Sequence, residues 1–157
     1  MGIQFTSKKV GELLKEGNLR IPSYQRPYKW NRKHIRNLFY DLRDAMEKKE
    51  YQVGSVIFHD NGGYLDIVDG QQRLISISLF LHSLEKLKDY EGANQLLGAE
   101  FGEISCYHAS ENYNEWENLT QLVGTSQAKE ICEFLLENCS VSVITMPQKR
   151  LSEAFQL

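Results

Sequence analysis

Between Gln52 and Lys88 the chain specifies strand, turn, strand and helix with almost no slack, and this run limits the fold more than any other stretch. Val53, Val56, Ile57 and Phe58 predict a strand over Gln52–His59, Asp60-Asn61-Gly62-Gly63 supplies turn residues, and Tyr64–Val68 returns as a second strand. Asp69-Gly70 ends that strand. From Gln71 to about Lys88, Leu74, Ile75, Ile77, Leu81, Leu84 and Leu87 predict a helix that is apolar over much of its surface and therefore central. The run therefore reads as a hairpin that passes through one glycine into a buried helix.

The remaining pattern fits around that unit. A first helix is expected over Lys8–Glu16, with Thr6 or Ser7 as N-cap, and Leu19-Arg20-Ile21 reads as a short extended piece before Pro22. Asn31 caps a second helix, Arg32 to about Lys49, with Ile35, Leu38, Phe39, Leu42, Ala45 and Met46 on one stripe. Residues 92–108 are mixed. Ser110–Val123 and Ser126–Asn138 look helical, Val141–Met146 reads as a strand, and Leu151–Leu157 begins an amphipathic helix as though further structure followed. The expected organisation is one domain, with a core over residues 1–90. A helical C-terminal part with one strand, residues 91–157, packs on that core.

A hydrophobic fraction of 41% in 157 residues suits one soluble domain and excludes a disordered or collagen-like chain. No run approaches the roughly 18 consecutive apolar residues of a membrane span, so a cytoplasmic protein with no membrane partner is expected. Cys106, Cys132 and Cys139 have no metal-ligand spacing and read as buried free thiols. Charge is unevenly placed. The first 50 residues hold 12 Lys and Arg against 6 Asp and Glu, and the remainder hold 6 against 15. Within residues 20–36 there are six basic side chains and no acid, interleaved with Tyr24, Tyr28 and Trp30, which suits an anionic and planar partner.

Two constellations carry the chemistry. In Asp69-Gly70-Gln71-Gln72-Arg73 the glycine lets the backbone approach a ligand, and the first helical turn offers free amides at the positive end of the dipole. Arg73 in that turn adds a bidentate cation, a placement that costs a few tenths of a kcal/mol against the dipole unless an anion compensates. The plainer alternative makes Asp69 an N-cap with Arg73 paired to it. In the second constellation, Pro22 and Pro27 stiffen a loop that presents Tyr24, Gln25 and Arg26. Its plainer alternative is a structural loop whose aromatics close the core. Asp41 and Asp44 are expected to pair with basic neighbours on their own helix. The histidines show no ligand spacing, so no resident metal site is expected from them.

Taken together, Ile21-Pro22-Ser23-Tyr24-Gln25-Arg26-Pro27-Tyr28-Lys29-Trp30, Val53-Gly54-Ser55-Val56-Ile57 and Val68-Asp69-Gly70-Gln71-Gln72-Arg73-Leu74 resemble the N-terminal domain of GmrSD-type restriction endonucleases, within the ParB/sulfiredoxin-like superfamily. The match in order and spacing covers about residues 5–90. The resemblance implies a compact α+β domain, a small mixed sheet with a β-hairpin flanked by helices and a helical C-terminal part, that binds a nucleoside triphosphate, hydrolyses it in several members, and serves phage defence through recognition of modified DNA. DNA cleavage in such proteins is often assigned to a C-terminal nuclease-type domain, which would be a partner outside this chain or a separate subunit. Mapped here, Asp69, Gln71, Gln72 and Arg73 become the catalytic candidates. Tyr24, Gln25, Arg26, Gly70, Arg73 and Ser76 become the nucleotide-binding candidates, with Mg2+ as the accompanying ion. The family usually follows its Arg-Leu with two hydroxyl residues. This chain has Ile75 and then Ser76, which implies weaker hydrolysis if the first hydroxyl touches phosphate or metal.

Three functional readings follow from the sequence. The leading one is nucleotide binding with hydrolysis. The second is a DNA-binding or DNA-cleaving module that lays residues 20–36 and the following helix on the backbone. The third is a non-catalytic scaffold with a closed pocket at Arg73.

Overall fold

A computed structural model describes residues 2–22, 27–98 and 103–147. In chain order it contains β1 (Gln4–Lys9), α1 (Val10–Lys15), β2 (Leu19–Arg20), α2 (Arg32–Ala45), β3 (Tyr51–Asn61) and β4 (Tyr64–Asp69). These are followed by α3 (Gln71–Ser83), a 3-10 turn at Leu87–Asp89, α4 (Glu91–Gly98), α5 (Glu103–Val123), α6 (Thr125–Asn138) and β5 (Cys139–Pro147). The architecture is α+β, as the family resemblance implies.

The sheet runs β1-β5-β3-β4-β2. The β3–β4 hairpin turns through Gly62 and Gly63, both at positive φ, and β2 adds a short parallel edge to β4. β5 enters the middle, antiparallel to β1 and parallel to β3, so residues on both sides of position 90 build the same sheet. Its buried residues, Cys139, Val141 and Val143, alternate with period 2, as a strand packed on one face demands. In β3 the buried apolar residues are Val53, Val56 and Phe58, with His59 buried beside them, and the three-residue step marks a bulge between Gln52 and Gly54.

Helix α3 forms the centre of the core, with every residue from Leu74 to Leu81 buried. It packs against α4 and α5. Phe80 stacks on Trp116 of α5 at 4.1 Å, and Phe39 of α2 meets the same indole edge-on at 6.4 Å. The α2 stripe is buried as its spacing predicts, through Ile35, Leu38, Phe39, Leu42 and Ala45.

Several boundaries differ from the sequence reading. Residues 4–9 form strand β1 instead of a cap and first helical turn, because β5 offers an open edge and pairing with it overrides the local signal. Phe5 on β1 is 74% exposed, so no hydrophobic alternation marks this strand. Helix α1 is correspondingly short, with Lys9 as its N-cap and no side-chain cap. Helix α2 stops at Ala45, its last buried position. Helix α3 ends at Ser83, and Glu85 then adopts φ 60°, a left-handed turn written without glycine. The expected C-terminal amphipathic helix lies outside the described residues.

Candidate functional site

The strand-to-helix corner is built on Gly70. It sits at φ 99°, ψ 2°, as the N-cap of α3, and a β-carbon there would stand 3.1 Å from the Ser55 carbonyl oxygen and from Val56 Cβ. Both the positive φ and the close strand therefore call for glycine. The first helical bond is Leu74 N–H to Gly70 O at 3.2 Å. The amides of the turn ahead of it lie beyond the reach of any helical carbonyl, at the positive end of the helix dipole. Asp69 does not cap this helix. It ends β4 opposite Ile57, is exposed, and has no side-chain hydrogen bond or ion pair among the described residues.

Arg73 is not paired with Asp69 either. Its guanidinium crosses the sheet over Gly54, so closely that a β-carbon on that glycine would lie 2.2 Å from Nη1. Gly54 has φ 139° and follows the β3 bulge, so the irregularity in β3 is what clears a path for the arginine. The guanidinium carbon stands 5.7 Å from the centroid of the Trp30 ring, and Nε is buried with no hydrogen-bond partner among the described residues. A buried cation edge without an acceptor is costly, and an anion in front of it would relieve the cost.

An open cleft of about 660 Å³ lies at this corner. Asp69, Gly70, Gln71, Gln72 and Arg73 form one wall, so the structure brings five of the sequence candidates together. Pro27, Lys29, Trp30 and His34 face them, and Ser55 and Val68 contribute from the sheet. His34 belongs to a capping box. Asn31 Oδ1 accepts from the Lys33 and His34 amides, and His34 Nδ1 accepts from Asn31 N–H at 3.1 Å. That bond places the proton of the neutral ring on Nε2 and fixes the imidazole parallel to Trp30, at 5.1 Å and 15°.

The facing loop is held by side chains that the sequence reading assigned to chemistry. Gln72 Oε1 accepts from Lys29 N–H at 2.8 Å and Trp30 N–H at 3.1 Å, and Gln72 Nε2 donates to Pro27 O at 3.2 Å. Its amide is thus spent on anchoring the loop. Ser76 is withdrawn from the cleft altogether: it is fully buried, and its hydroxyl donates to Gln72 O at 2.8 Å. With that proton committed, the 2.6 Å contact between Tyr28 and Ser76 has the phenol as donor, while Asn112 Nδ2 donates to Tyr28 Oη at 2.8 Å and to Trp30 O at 2.7 Å. Burial pushes the Tyr28 phenol above its ordinary pKa, so it stays protonated as this chain of bonds requires. Ile75 is fully buried and lies off the cleft wall.

Tyr24, Gln25 and Arg26 lie outside the described residues. Lys29 entered the sequence reading only as one of the six basic side chains of residues 20–36, and His34, Ser55 and Asn112 were given no role in the site. The Asn31 capping signal was the one available pointer to His34, while Asn112 lies in a stretch whose helical signal says nothing about the loop it reaches.

Three arginines of the basic stretch are paired with carboxylates. Arg20 binds Asp66 through Nε at 2.6 Å and lies over the Tyr64 ring. Arg32 pairs with Glu111 and Glu115, and Arg36 pairs with Glu115. Burial opposes ionisation of Asp66, but the hydrogen bonds from Arg20 and Asn61 outweigh it and hold the carboxyl below its usual value. Lys29 and Lys33 have no ion-pair partner among the described residues, and neither do Asp41 and Asp44, which the sequence reading had paired within α2. Cys132 and Cys139 are buried free thiols whose pKa is pushed up to about 12 by burial, whereas Cys106 is exposed, contrary to expectation.

Among the described residues no group of three or more His, Cys, Asp or Glu could hold a metal ion, and no helix is long and apolar enough to cross a membrane. Among the described residues, Asp69 is the only carboxylate lining the cleft. No curated protein matches the chain. The family profile described as "GmrSD restriction endonuclease, N-terminal domain" matches residues 10–156, nearly the whole sequence and well beyond the hairpin and its corner. With its Asp-Gly-Gln-Gln-Arg corner on the wall of an open cleft, the chain belongs to the GmrSD restriction endonuclease N-terminal domain family.

Proposed function

We propose that the cleft binds a nucleoside triphosphate and hydrolyses it, as the NTPase module of a restriction protein that defends against phage DNA. The observation that carries this reading is the convergence at Gly70. An uncapped helix N-terminus and a guanidinium whose buried Nε lacks a partner face one open cleft of nucleotide size. Arg73 takes phosphate oxygens through its fork, the first-turn amides of α3 take others, and Lys29 adds charge from the opposite wall. Trp30, backed by His34, offers an aromatic face to the remainder of the nucleotide.

For hydrolysis, water attacks the terminal phosphorus and the bond to the leaving diphosphate oxygen breaks. Positioning and charge neutralisation do most of this work. Gln71, at the cleft wall, is the residue to orient that water. Asp69 is the residue to hold Mg2+ together with the phosphates, and one carboxylate suits an ion that commonly takes one or two and completes its shell with phosphate and water. The ion would supply further neutralisation of the phosphate charge. Tyr24, Gln25 and Arg26 remain proposed contacts from the loop, and Ser76 acts from behind it by fixing Tyr28 and Gln72.

The DNA-backbone reading is weaker on this geometry, because Arg20, Arg32 and Arg36 already meet carboxylates. The scaffold reading requires a sealed pocket at Arg73, and the cleft is open. The deciding experiment is a thermal-shift and hydrolysis panel with the four ribonucleoside triphosphates and Mg2+ on wild type and Arg73→Ala. Stabilisation of wild type that is lost in Arg73→Ala supports the proposal. If no triphosphate stabilises wild type, the proposal fails.

A further inference from the structure

A second groove of about 180 Å³ opens on the α2 side of Arg73 and shares Trp30, His34 and Arg73 with the main cleft. Its own wall is mixed: Val53 and Tyr51 of β3 on one side, Asn37 and Asp41 of α2 on the other. Asn37 and Asp41 are four residues apart on the helix, so they project from adjacent turns onto the same strip of surface. Both are exposed, and among the described residues neither side chain has a hydrogen bond or ion pair. An unengaged carboxylate and an unengaged amide thus stand side by side above an apolar floor, next to a stacked Trp30–His34 pair.

We propose that this groove is the base subsite of the nucleotide cleft and that it selects guanine. The inference rests on the triphosphate reading and extends it to the identity of the base. Arg73, Trp30 and His34 line both compartments, so a nucleotide with its phosphates at Gly70 has its base directed along the Trp30 face and into the groove. Asp41 sets the selection. A carboxylate only accepts hydrogen bonds, and its two oxygens match two adjacent donors. Guanine presents such a pair, N1–H and N2–H2. Adenine and cytosine place a ring nitrogen acceptor beside their amino group, and uracil flanks its single N–H with two carbonyls, so each sets a lone pair against Asp41. Asn37, one turn earlier on α2, donates its amide N–H to O6. Tyr51 and Val53 close the apolar side.

Equilibrium titrations of wild type, Asp41→Asn and Asn37→Ala with GTP, ATP, CTP, UTP and inosine triphosphate test this. Both substituted side chains are exposed, and thermal melts check that each variant folds as wild type does. Wild type is expected to bind GTP at least tenfold more tightly than ATP, CTP or UTP. Inosine triphosphate, which lacks the 2-amino group, should fall between. Asp41→Asn should weaken GTP by tenfold or more while leaving UTP within about twofold, and Asn37→Ala should weaken GTP and inosine triphosphate alike. Equal affinity for all bases, or an Asp41→Asn loss common to all of them, overturns the guanine subsite and leaves the triphosphate reading standing. Absence of binding by every triphosphate to wild type overturns both.

Discussion

Gly54→Ala is the sharpest perturbation the site allows, because the residue touches no ligand in the proposed reading and acts only through Arg73. The new methyl carbon would lie 2.2 Å from Arg73 Nη1 and 3.2 Å from Cζ, whereas ordinary contact begins near 3.4 Å. The guanidinium must therefore retreat by more than 1 Å. It is the far end of a flexible side chain, so the move itself is cheap. The remaining stability cost is that of holding alanine at φ 139°, about 1–3 kcal/mol for a residue in a sparsely populated region. Ligand binding suffers separately. A charge-assisted hydrogen bond is worth about 1.5–3 kcal/mol, so a displaced Arg73 should raise the triphosphate Kd by roughly 10- to 100-fold.

Calorimetric titration with GTP under conditions where each variant stays folded measures this, and a double-mutant cycle separates the two effects. In an Arg73→Ala background the added Gly54→Ala should change Kd by less than about twofold, since the group it displaces is gone. Wild-type affinity in Gly54→Ala, or the same further loss with Arg73 already removed, would show that the β3 bulge does not position the arginine.

Three further outcomes follow from the bonds around the cleft. Tyr28→Phe removes the donor to Ser76 and the acceptor of Asn112, but both partners keep another bond, so urea unfolding should show a loss of about 1–2 kcal/mol; no loss would mean the phenol bond adds nothing to folding. The folded-state pKa of Asp66 is depressed, so its contribution is fully present above the ordinary carboxyl value of 3.8 and is lost as pH falls through the lower folded value. Asp66→Asn should flatten the acid side of the stability profile below about pH 4, and an unchanged slope would count against the Arg20–Asp66 pair as its source. Of the three thiols, only Cys106 should react with an aromatic disulfide reagent in the native protein, and Cys132 and Cys139 should react after unfolding; two or three fast thiols would contradict their burial.

What the sequence made legible is what local patterns encode. The β3–β4 hairpin, the Gly70 corner, the α2 stripe and the near-total burial of α3 all follow from spacing within a few turns of chain. What stayed hidden depends on distant partners. Strand β1 has exposed residues and no alternation, so only the open edge of β5, some 130 residues away, makes it a strand. Gln72 and Ser76 carry the same side chains in a ligand-binding role as in a structural one. Only the positions of Pro27, Lys29, Trp30 and Tyr28 show that both hold the loop. Glu85 turns the chain with a residue type that signals no turn.

The ion pairs resolve a tension that composition alone leaves open. A stretch with six basic side chains and no acid looks like a nucleic-acid surface, but the chain's acids are concentrated later, and the fold returns them to that stretch. Asp66 from β4 and Glu111 and Glu115 from α5 meet Arg20, Arg32 and Arg36, so these arginines contribute little net field to a long polyanion. Arg73 lies outside the stretch, in a helix turn where its charge opposes the dipole, and has no carboxylate partner among the described residues. With these three arginines paired, and Arg73 and Lys29 lining one recessed cleft without a carboxylate partner among the described residues, the charge favours a compact anion over a duplex backbone. Binding should then depend on salt far less steeply than the roughly −0.9 log-log slope that each neutralised duplex phosphate contributes.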